Sequence, residues 1–443
     1  MPQTHQEIVQ QLIGRWPEQR IAPGTARVEA LCELLGSPQR AYPVIQIAGT
    51  NGKGSTAIMI DALLRALGLR TGRYTSPHLM QLTERICIDG EPMTDQAFDD
   101  LVADAQPLIN LVDSQAVDSL SMTFFEVMTA LAYEAFAQAP VDVAVVEVGL
   151  GGVTDATNVM DAQVAVICPI DYDHTHLLGD SLTAIAREKA GIIKPGSQVV
   201  LAAQQPEAAA VLIERCAEAG AKVYREGIEF GVLERTPAVG GQVLRIDSAG
   251  GPVGDLLLPL FGAHMAANAA LAVAAVEAFL GGKPLAPDII AEGLADVVAP
   301  GRLEVVRRSP LVLLDTCHNP HGARATIDAL TESFTLAPLI GVVAVMADKD
   351  VDGLLRVFAE EMTTVVCTTV AGTTRALSPE ALGERAEGVF GEERVRVAAG
   401  LADAIELAVE LADQAGPGAG VLIAGSVIGA GQARALLVRG EES

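Results

Sequence analysis

Short apolar runs rich in β-branched residues alternate along the chain with longer alanine- and leucine-rich stretches. Tyr42 to Ile47 precedes Ser55 to Leu67, Val141 to Val148 follows a helical pattern through Phe124, Met128, Leu131 and Ala135, and Gln163 to Cys168 precedes Ser181 to Ala190. This alternation predicts a mostly parallel sheet with helices on both faces, an α/β fold. After Lys194-Pro195-Gly196 come shorter segments through about Pro259, then a strongly helical stretch from His264 to Leu280. The periodic pattern breaks at Val298-Ala299-Pro300-Gly301 and resumes with strand candidates at Leu311 to Leu314, Leu339 to Val345, Val365 to Val370 and Val421 to Ala424. The boundary is therefore placed there, giving a larger domain over residues 1–298 and a smaller α/β domain over residues 299–443.

Composition narrows the class. A chain of 443 residues is long enough for two cores. With 50% hydrophobic and only 19% charged residues, it reads as globular rather than disordered. Thirty basic against 56 acidic residues leave a formal net charge of −26, the wrong sign for bulk attraction to nucleic acid or anionic membranes. An anionic ligand must be captured locally. The six cysteines show neither CxxC pairs nor the density of a disulfide scaffold, and read as free thiols in a reducing cytoplasm. The N-terminus has no signal-peptide pattern, and no run of about 18 apolar residues marks a membrane span.

Local capture is what Gly49-Thr50-Asn51-Gly52-Lys53-Gly54-Ser55-Thr56 offers, between an apolar strand and an amphipathic helix. Glycines let backbone N–H groups close around phosphates, the helix N-terminus adds partial positive charge, and Lys53 can follow charge leaving the terminal phosphate. Glu147 falls at the carboxyl end of a predicted strand, where ligands of open parallel sheets collect, and its hard oxygens suit magnesium. By residue type alone His174 and Lys189 are less telling: histidine is an unusual magnesium ligand, and a lysine near a helix end is ordinarily a solvated cation.

Further blocks follow the loop in order: Tyr74-Thr75-Ser76-Pro77-His78-Leu79, Thr83-Glu84-Arg85-Ile86, Thr123-Phe124-Phe125-Glu126 and Glu147-Val148-Gly149-Leu150-Gly151-Gly152. Asp155-Ala156-Thr157-Asn158, Asp173-His174-Thr175, Arg187-Glu188-Lys189-Ala190-Gly191-Ile192, Pro300-Gly301-Arg302, Asp315-Thr316-Cys317-His318-Asn319-Pro320 and Asp348-Lys349-Asp350 complete the series. On these blocks the chain resembles the Mur ligase superfamily, and within it the folylpolyglutamate synthase and dihydrofolate synthase branch, from the loop almost to the C-terminus.

The resemblance implies a P-loop domain of the Mur ligase central type and a mobile C-terminal domain that closes over the nucleotide. It implies an ATP-dependent ligase joining L-glutamate to dihydropteroate, or to the γ-carboxylate of reduced folates, through an acyl phosphate. ATP would be met by Thr50, Asn51, Gly52, Lys53, Gly54, Ser55 and Asn268, with Arg302 and Asp315 from the smaller domain. Ser76, Glu147 and His174 would hold one magnesium, and Lys189, carbamylated by carbon dioxide, would ligate a second. Lys53, Glu147, His174 and Lys189 are thus the expected catalytic set. His318 and Ser426 are glutamate-site candidates, although Ser426 equally fits a plain strand-end turn. Thr123, Phe124 and Phe125, with Asp155 nearby, would wall a flat pterin, while helical spacing places one of the two phenylalanines in the core. A monomer acting on small molecules is expected.

Two positions depart from the family pattern: Val153-Thr154 stands where an arginine is common, and Cys317 where alanine is usual. A peptidoglycan-type Mur ligase is the competing enzyme, but only about 40 residues precede the loop, too few for its additional N-terminal domain. A catalytically silent nucleotide-binding regulator is the competing non-enzyme.

Overall fold

The predicted strands form where the apolar runs fall, and the order in which they pair decides where a ligand can sit. In the computed structural model, which describes residues 4–15 and 23–438, the first sheet contains β1 (Val44–Ala48), β2 (Thr71–Tyr74), β3 (Ile86–Ile88), β4 (Glu91–Pro92), β5 (Val143–Glu147), β6 (Val164–Ile167), β7 (Gln198–Leu201) and β8 (Lys222–Arg225). Their order is β4-β3-β2-β5-β1-β6-β7-β8. Only the β2–β3 and β3–β4 pairs are antiparallel.

Every residue of β1, β5 and β6 is buried, as befits parallel strands covered on both faces. Ala144 and Val146 pack in one cluster with the helices Ala26–Leu34, Asp95–Gln115 and Phe124–Gln138. The period of two turns Val145 and Glu147 to the opposite face. On that face Arg73, in register with Val145, approaches Asp61 of the helix Lys53–Ala66 at 3.7 Å. Because β5 and β6 flank β1, the carboxyl end of β1 is the topological switch point of the sheet. The pairings Ile47↔Glu147 and Ala48↔Ile167 bring Gly49, Val148 and Cys168 to one edge.

The shorter segments expected before Pro259 resolve into β7, the helix Pro206–Ala219, β8, and a three-stranded sheet of β9 (Gly231–Ala238), β10 (Gly241–Ser248) and β11 (Gly251–Leu258) in the order β11-β10-β9. The helix Ala263–Phe279 follows. The last sheet contains β12 (Glu304–Arg308), β13 (Leu311–Leu314), β14 (Leu339–Val343), β15 (Met362–Cys367), β16 (Val395–Val397) and β17 (Gly420–Ala424), in the order β12-β13-β17-β14-β15-β16. β12 alone runs antiparallel to its neighbour. Leu313, Val343 and Leu422 pack toward the helices Pro320–Ser333, Val351–Ala359 and Pro379–Phe390, whereas Val312, Val342 and Val421 pack toward Leu401–Ala415. β15 starts earlier than its apolar run, because Thr363 is exposed and interrupts the pattern.

The chain forms two units, Met1–Glu234 with Leu244–Leu257 and Ala267–Val297, and Arg235–Val243 with Leu258–Ala266 and Val298–Ser443. The short segments Arg235–Val243 and Leu258–Ala266 join the second unit from within the first 298 residues, a partition that a linear pattern does not reveal.

Candidate active site

The phosphate loop is built by two glycines that no other residue can replace without strain. Gly49 has φ +151°, and a Cβ there would lie 2.6 Å from the Cβ of Cys168; Gly52 has φ +88°, with its Cβ position 2.8 Å from Asn268 Oδ1. Asn268, from the helix Ala263–Phe279, therefore lies directly against the loop. Thr50 N donates to Pro169 O at 2.9 Å, and Asn51 N to the same oxygen at 3.5 Å. Thr50 Oγ1 donates to Asp171 O and accepts from Asp171 N at 2.9 and 3.0 Å. The first helical bond runs from Thr56 N to Gly52 O, so the N–H groups of Lys53, Gly54 and Ser55 precede the ladder at the positive end of the helix. This is an anion site by construction.

Two lysines converge on it. Lys53 Nζ donates to Gly49 O at 3.2 Å and Thr50 O at 3.4 Å, and stands 3.9 Å from Glu147 Oε1. Lys189 is buried, not a solvated cation, and donates to the same Gly49 oxygen at 2.9 Å. Burial, reinforced by the charge of Lys53, lowers the Lys189 pKa to about 7. Glu147 Oε2 accepts from Ser76 N at 3.1 Å. His174 has φ +49° on the loop that Asp171 ties to Thr50, and its N–H donates to Asp173 Oδ1 at 2.8 Å.

Among the described residues no three His, Cys, Asp or Glu side chains could hold a metal by themselves. A buried glutamate touching Ser76 beside a phosphate loop nevertheless fits magnesium, which is usually held by one or two carboxylates together with substrate phosphates. The thiolate-rich or histidine-rich set that zinc takes is not what these residues offer.

On the other flank, Thr123 caps the helix Phe124–Gln138. Its Oγ1 accepts from Glu126 N at 3.2 Å and its N–H donates to Glu126 Oε2 at 2.7 Å. Phe124 belongs to the core, whereas Phe125 is half-buried, its ring 6.0 Å from that of Tyr74 and packed against Gly149. Asp155 accepts from Leu150 N at 2.9 Å, Thr157 N at 2.9 Å and Thr157 Oγ1 at 2.5 Å, and burial raises its pKa. The Thr123 hydroxyl and the Asp155 carboxylate thus shape the walls of this flank through bonds to the protein itself.

Two residues with no role in the sequence reading stand out here: Arg27 and Arg85 are the largest fully buried side chains of the described chain. Arg27 holds Glu126 through Nη2–Oε1 at 2.8 Å and Nε–Oε1 at 3.0 Å. Its one signal is a charge set inside the apolar spacing of Val28, Leu31 and Cys32. Arg85 donates from Nε to His78 Nδ1 at 2.9 Å and lies 4.9 Å from the centre of the Phe124 ring. It falls in a block that the motif reading quotes without a function.

In the second unit the remaining candidates meet at the carboxyl edge of the last sheet. Asp315 accepts from Leu303 N at 2.9 Å, Cys317 N at 2.8 Å and Thr326 Oγ1 at 2.9 Å, which fixes the turn carrying Arg302. His318 Nδ1 lies 3.0 Å from Thr316 O, a contact that requires the proton on Nδ1. Gly425 N donates to Cys317 O at 3.0 Å, which sets Ser426 beside that loop. Ser426 Oγ accepts from Gly429 N at 3.3 Å and so caps the helix Val427–Val438.

All six cysteines are buried free thiols. No helix among the described residues is long and apolar enough to cross a membrane.

Comparison with known proteins agrees with this arrangement. The Mur ligase middle domain matches residues 47–276, and the glutamate ligase domain of the Mur ligases matches residues 301–427. The dihydrofolate synthase/folylpolyglutamate synthase of Mycobacterium tuberculosis is 48% identical over 96% of this chain and 92% of its own length. That of Escherichia coli is 33% identical over 82% of each. Among solved structures, Mycobacterium tuberculosis folylpolyglutamate synthase complexed with ADP superposes with a TM-score of 0.94 at 48% identity, over 98% of both chains. E. coli FolC in complex with DHPP and ADP superposes with a TM-score of 0.85 at 29% identity, covering 100% of this chain and 99% of that one. Both Mur ligase domains are present in order, and the likeness runs along nearly the whole chain, so the protein belongs to the dihydrofolate synthase/folylpolyglutamate synthase family of the Mur ligases.

Proposed function

We propose that this ATP-dependent ligase adds L-glutamate both to dihydropteroate, as a dihydrofolate synthase, and to the γ-carboxylate of reduced folates, as a folylpolyglutamate synthase. The observation that carries the reading is the meeting of Lys53, Lys189 and Glu147 at a glycine-built loop on the switch point of the sheet. The pterin acceptor is supported by Phe125 at the mouth of the same strand ends, packed on Gly149, and by relatives bearing these names.

In the proposed reaction the N–H groups of Lys53, Gly54 and Ser55 grip the phosphates of ATP, with Thr50, Asn51, Gly52 and Asn268 shaping the loop. Lys53 leaves the Gly49 and Thr50 carbonyls to follow the terminal phosphoryl group as the acceptor carboxylate attacks it. An acyl phosphate results. The amino group of L-glutamate then attacks the activated carbonyl and phosphate departs, leaving an amide. Ser76, Glu147 and His174 would hold one magnesium and a carbamylated Lys189 a second, and these ions would neutralise phosphate charge. The low pKa of Lys189 suits this assignment, because only a neutral amine takes up carbon dioxide. In the smaller unit Arg302 and Asp315 serve ATP, and His318 and Ser426 serve glutamate. Thr123, Phe124, Phe125 and Asp155 form the acceptor wall. We place the enzyme in the cytoplasm as a monomer acting on small molecules, without a nucleic-acid or membrane partner.

The test is phosphate release from ATP with magnesium and L-glutamate, comparing dihydropteroate, tetrahydrofolate and a UDP-muramyl acceptor, with product masses measured. A gain of one glutamate on each pterin substrate is expected. Turnover with the muramyl compound alone would overturn the reading.

A further inference from the structure

Arg85 is 1% exposed, and its contacts include an imidazole nitrogen and an aromatic face. Burying a guanidinium is costly, and an apolar residue of similar volume generally fills such a space at less cost to stability. A role in packing alone therefore explains it poorly.

What Arg85 touches is more informative. Its Nε–H reaches His78 Nδ1 at 2.9 Å, and its guanidinium lies 4.9 Å from the Phe124 ring centre, within the range of a cation–π contact. His78 belongs to the segment that begins at Ser76, whose N–H is bound by Glu147 Oε2 at 3.1 Å. The rest of that segment is held by Glu84, which accepts from Leu79 N at 2.7 Å, Met80 N at 3.1 Å and Gln81 N at 2.8 Å. Residues 78–81 thus rest on the adjacent pair Glu84 and Arg85. Contacts lead from Phe124 through Arg85 to His78, the chain carries on from His78 through Pro77 to Ser76, and contacts lead again from Ser76 to Glu147 and Lys53.

From this we infer that Arg85 is a positioning residue that couples acceptor recognition to phosphoryl transfer: it sets the Phe124 end of the acceptor wall and the Ser76 segment in register with each other. The inference rests on the acceptor reading given above. An acceptor that settles against the Phe124 helix then meets Glu147 and Lys53 already in place, whereas a loosened Arg85 leaves each half formed but misaligned. Misplacement of this kind lowers turnover without removing either binding site.

The experiment compares wild-type protein with Arg85→Lys, Arg85→Met and His78→Asn, and with the Arg85→Met/His78→Asn double variant. KM for dihydropteroate and kcat are measured alongside ADP affinity by calorimetry and the melting temperature. Arg85→Met keeps the buried volume, so the fold survives without the guanidinium. Expected is a rise in acceptor KM of about tenfold and a fall in kcat of similar size, with ADP affinity within about twofold of wild type. Arg85→Lys should recover part of the KM loss, because it keeps the cation over Phe124 and loses only the planar donor. The double variant should be no worse than Arg85→Met alone if the effect passes through His78. Wild-type KM and kcat in both arginine variants would overturn the inference, and so would a joint collapse of melting temperature and ADP affinity. A wild-type protein that turns over no pterin acceptor would overturn the functional reading and this inference with it.

Discussion

Lys189 and Lys53 donate to one and the same acceptor, the carbonyl oxygen of Gly49, at 2.9 and 3.2 Å. Two ammonium groups sharing an oxygen repel each other, and the more deeply buried one loses its proton more readily. Lys189 is that one, with its pKa brought to about 7 by burial first and by Lys53 second. The arrangement therefore makes Lys189 the readier of the two to lose its proton.

The first prediction follows from that difference. Between pH 7 and about 10 the unfolded chain carries a proton on Lys189 that the folded chain has released, so at this site the unfolded state binds more protons and the contribution of Lys189 to stability rises with pH across this window. Below pH 7 both states are protonated and the slope vanishes. Thermal melting in buffer free of carbon dioxide should show this contribution as a difference in melting temperature, wild type minus Lys189→Met, that rises between pH 7 and about 10. With 13C-bicarbonate above pH 7, wild type should give a carbamate carbon resonance that Lys189→Met lacks. A resonance persisting in the variant would locate the carbamate elsewhere.

Glu147 tests the other half of the site. Its carboxylate stands between Ser76 N and Lys53 Nζ. Glu147→Gln preserves the shape and removes the charge, and should lower kcat by about 10²-fold or more while ADP binding without magnesium stays near wild type. Isothermal calorimetry with and without magnesium separates the two effects. A variant whose ADP affinity still rises with magnesium as in wild type would remove Glu147 from the metal site.

Gly49→Ala is expected to destroy the loop locally rather than merely weaken it. The new methyl meets the Cβ of Cys168 at 2.6 Å and its Cα at 3.1 Å, neither of which can swing aside, and φ +151° is strained for alanine. The protein should lose about 1–3 kcal/mol of stability. ADP affinity should fall below detection, since displacement of Gly49 O also shifts the shared acceptor of both lysines. Retained ADP binding, measured by calorimetry, would mean that the loop repacks around the methyl.

These residues also show what a sequence discloses. Glu147, Gly49 and the strands that carry them were legible because apolar runs, a glycine-lysine-hydroxyl signature and strand ends are local features, and β1 and β5 are buried throughout as their composition implies. The convergence of Lys189 on Gly49 joins positions 140 residues apart and leaves no trace in either local pattern. The placement of Phe124 in the core and Phe125 at its edge was left open by a helical spacing that suits both, and tertiary packing decides it. Arg27 and Arg85 escape for the opposite reason: a charged residue in an amphipathic pattern ordinarily faces solvent, and only the contacts with Glu126, His78 and Phe124 show otherwise. The assignment of residues 235–243 and 258–266 to the second unit depends on tertiary contacts and has no compositional mark.

The Arg27–Glu126 pair yields the last prediction. With side chains 1% and 4% exposed, it is a buried ion pair, and Glu126 simultaneously closes the capping box of Thr123. Arg27→Ala leaves the Glu126 carboxylate in the interior without its guanidinium, and should cost about 3–5 kcal/mol of unfolding free energy. Arg27→Met with Glu126→Gln should cost much less, because no lone charge remains and the glutamine can still accept from Thr123 N. Urea unfolding of Arg27→Met, Glu126→Gln and the double variant closes the cycle. If the pair also holds the acceptor wall, the double variant should fold well yet show a raised KM for dihydropteroate, since neutral partners hold the start of the helix Phe124–Gln138 less firmly. Additive stability losses, with KM unchanged, would reduce the pair to two independent packing residues.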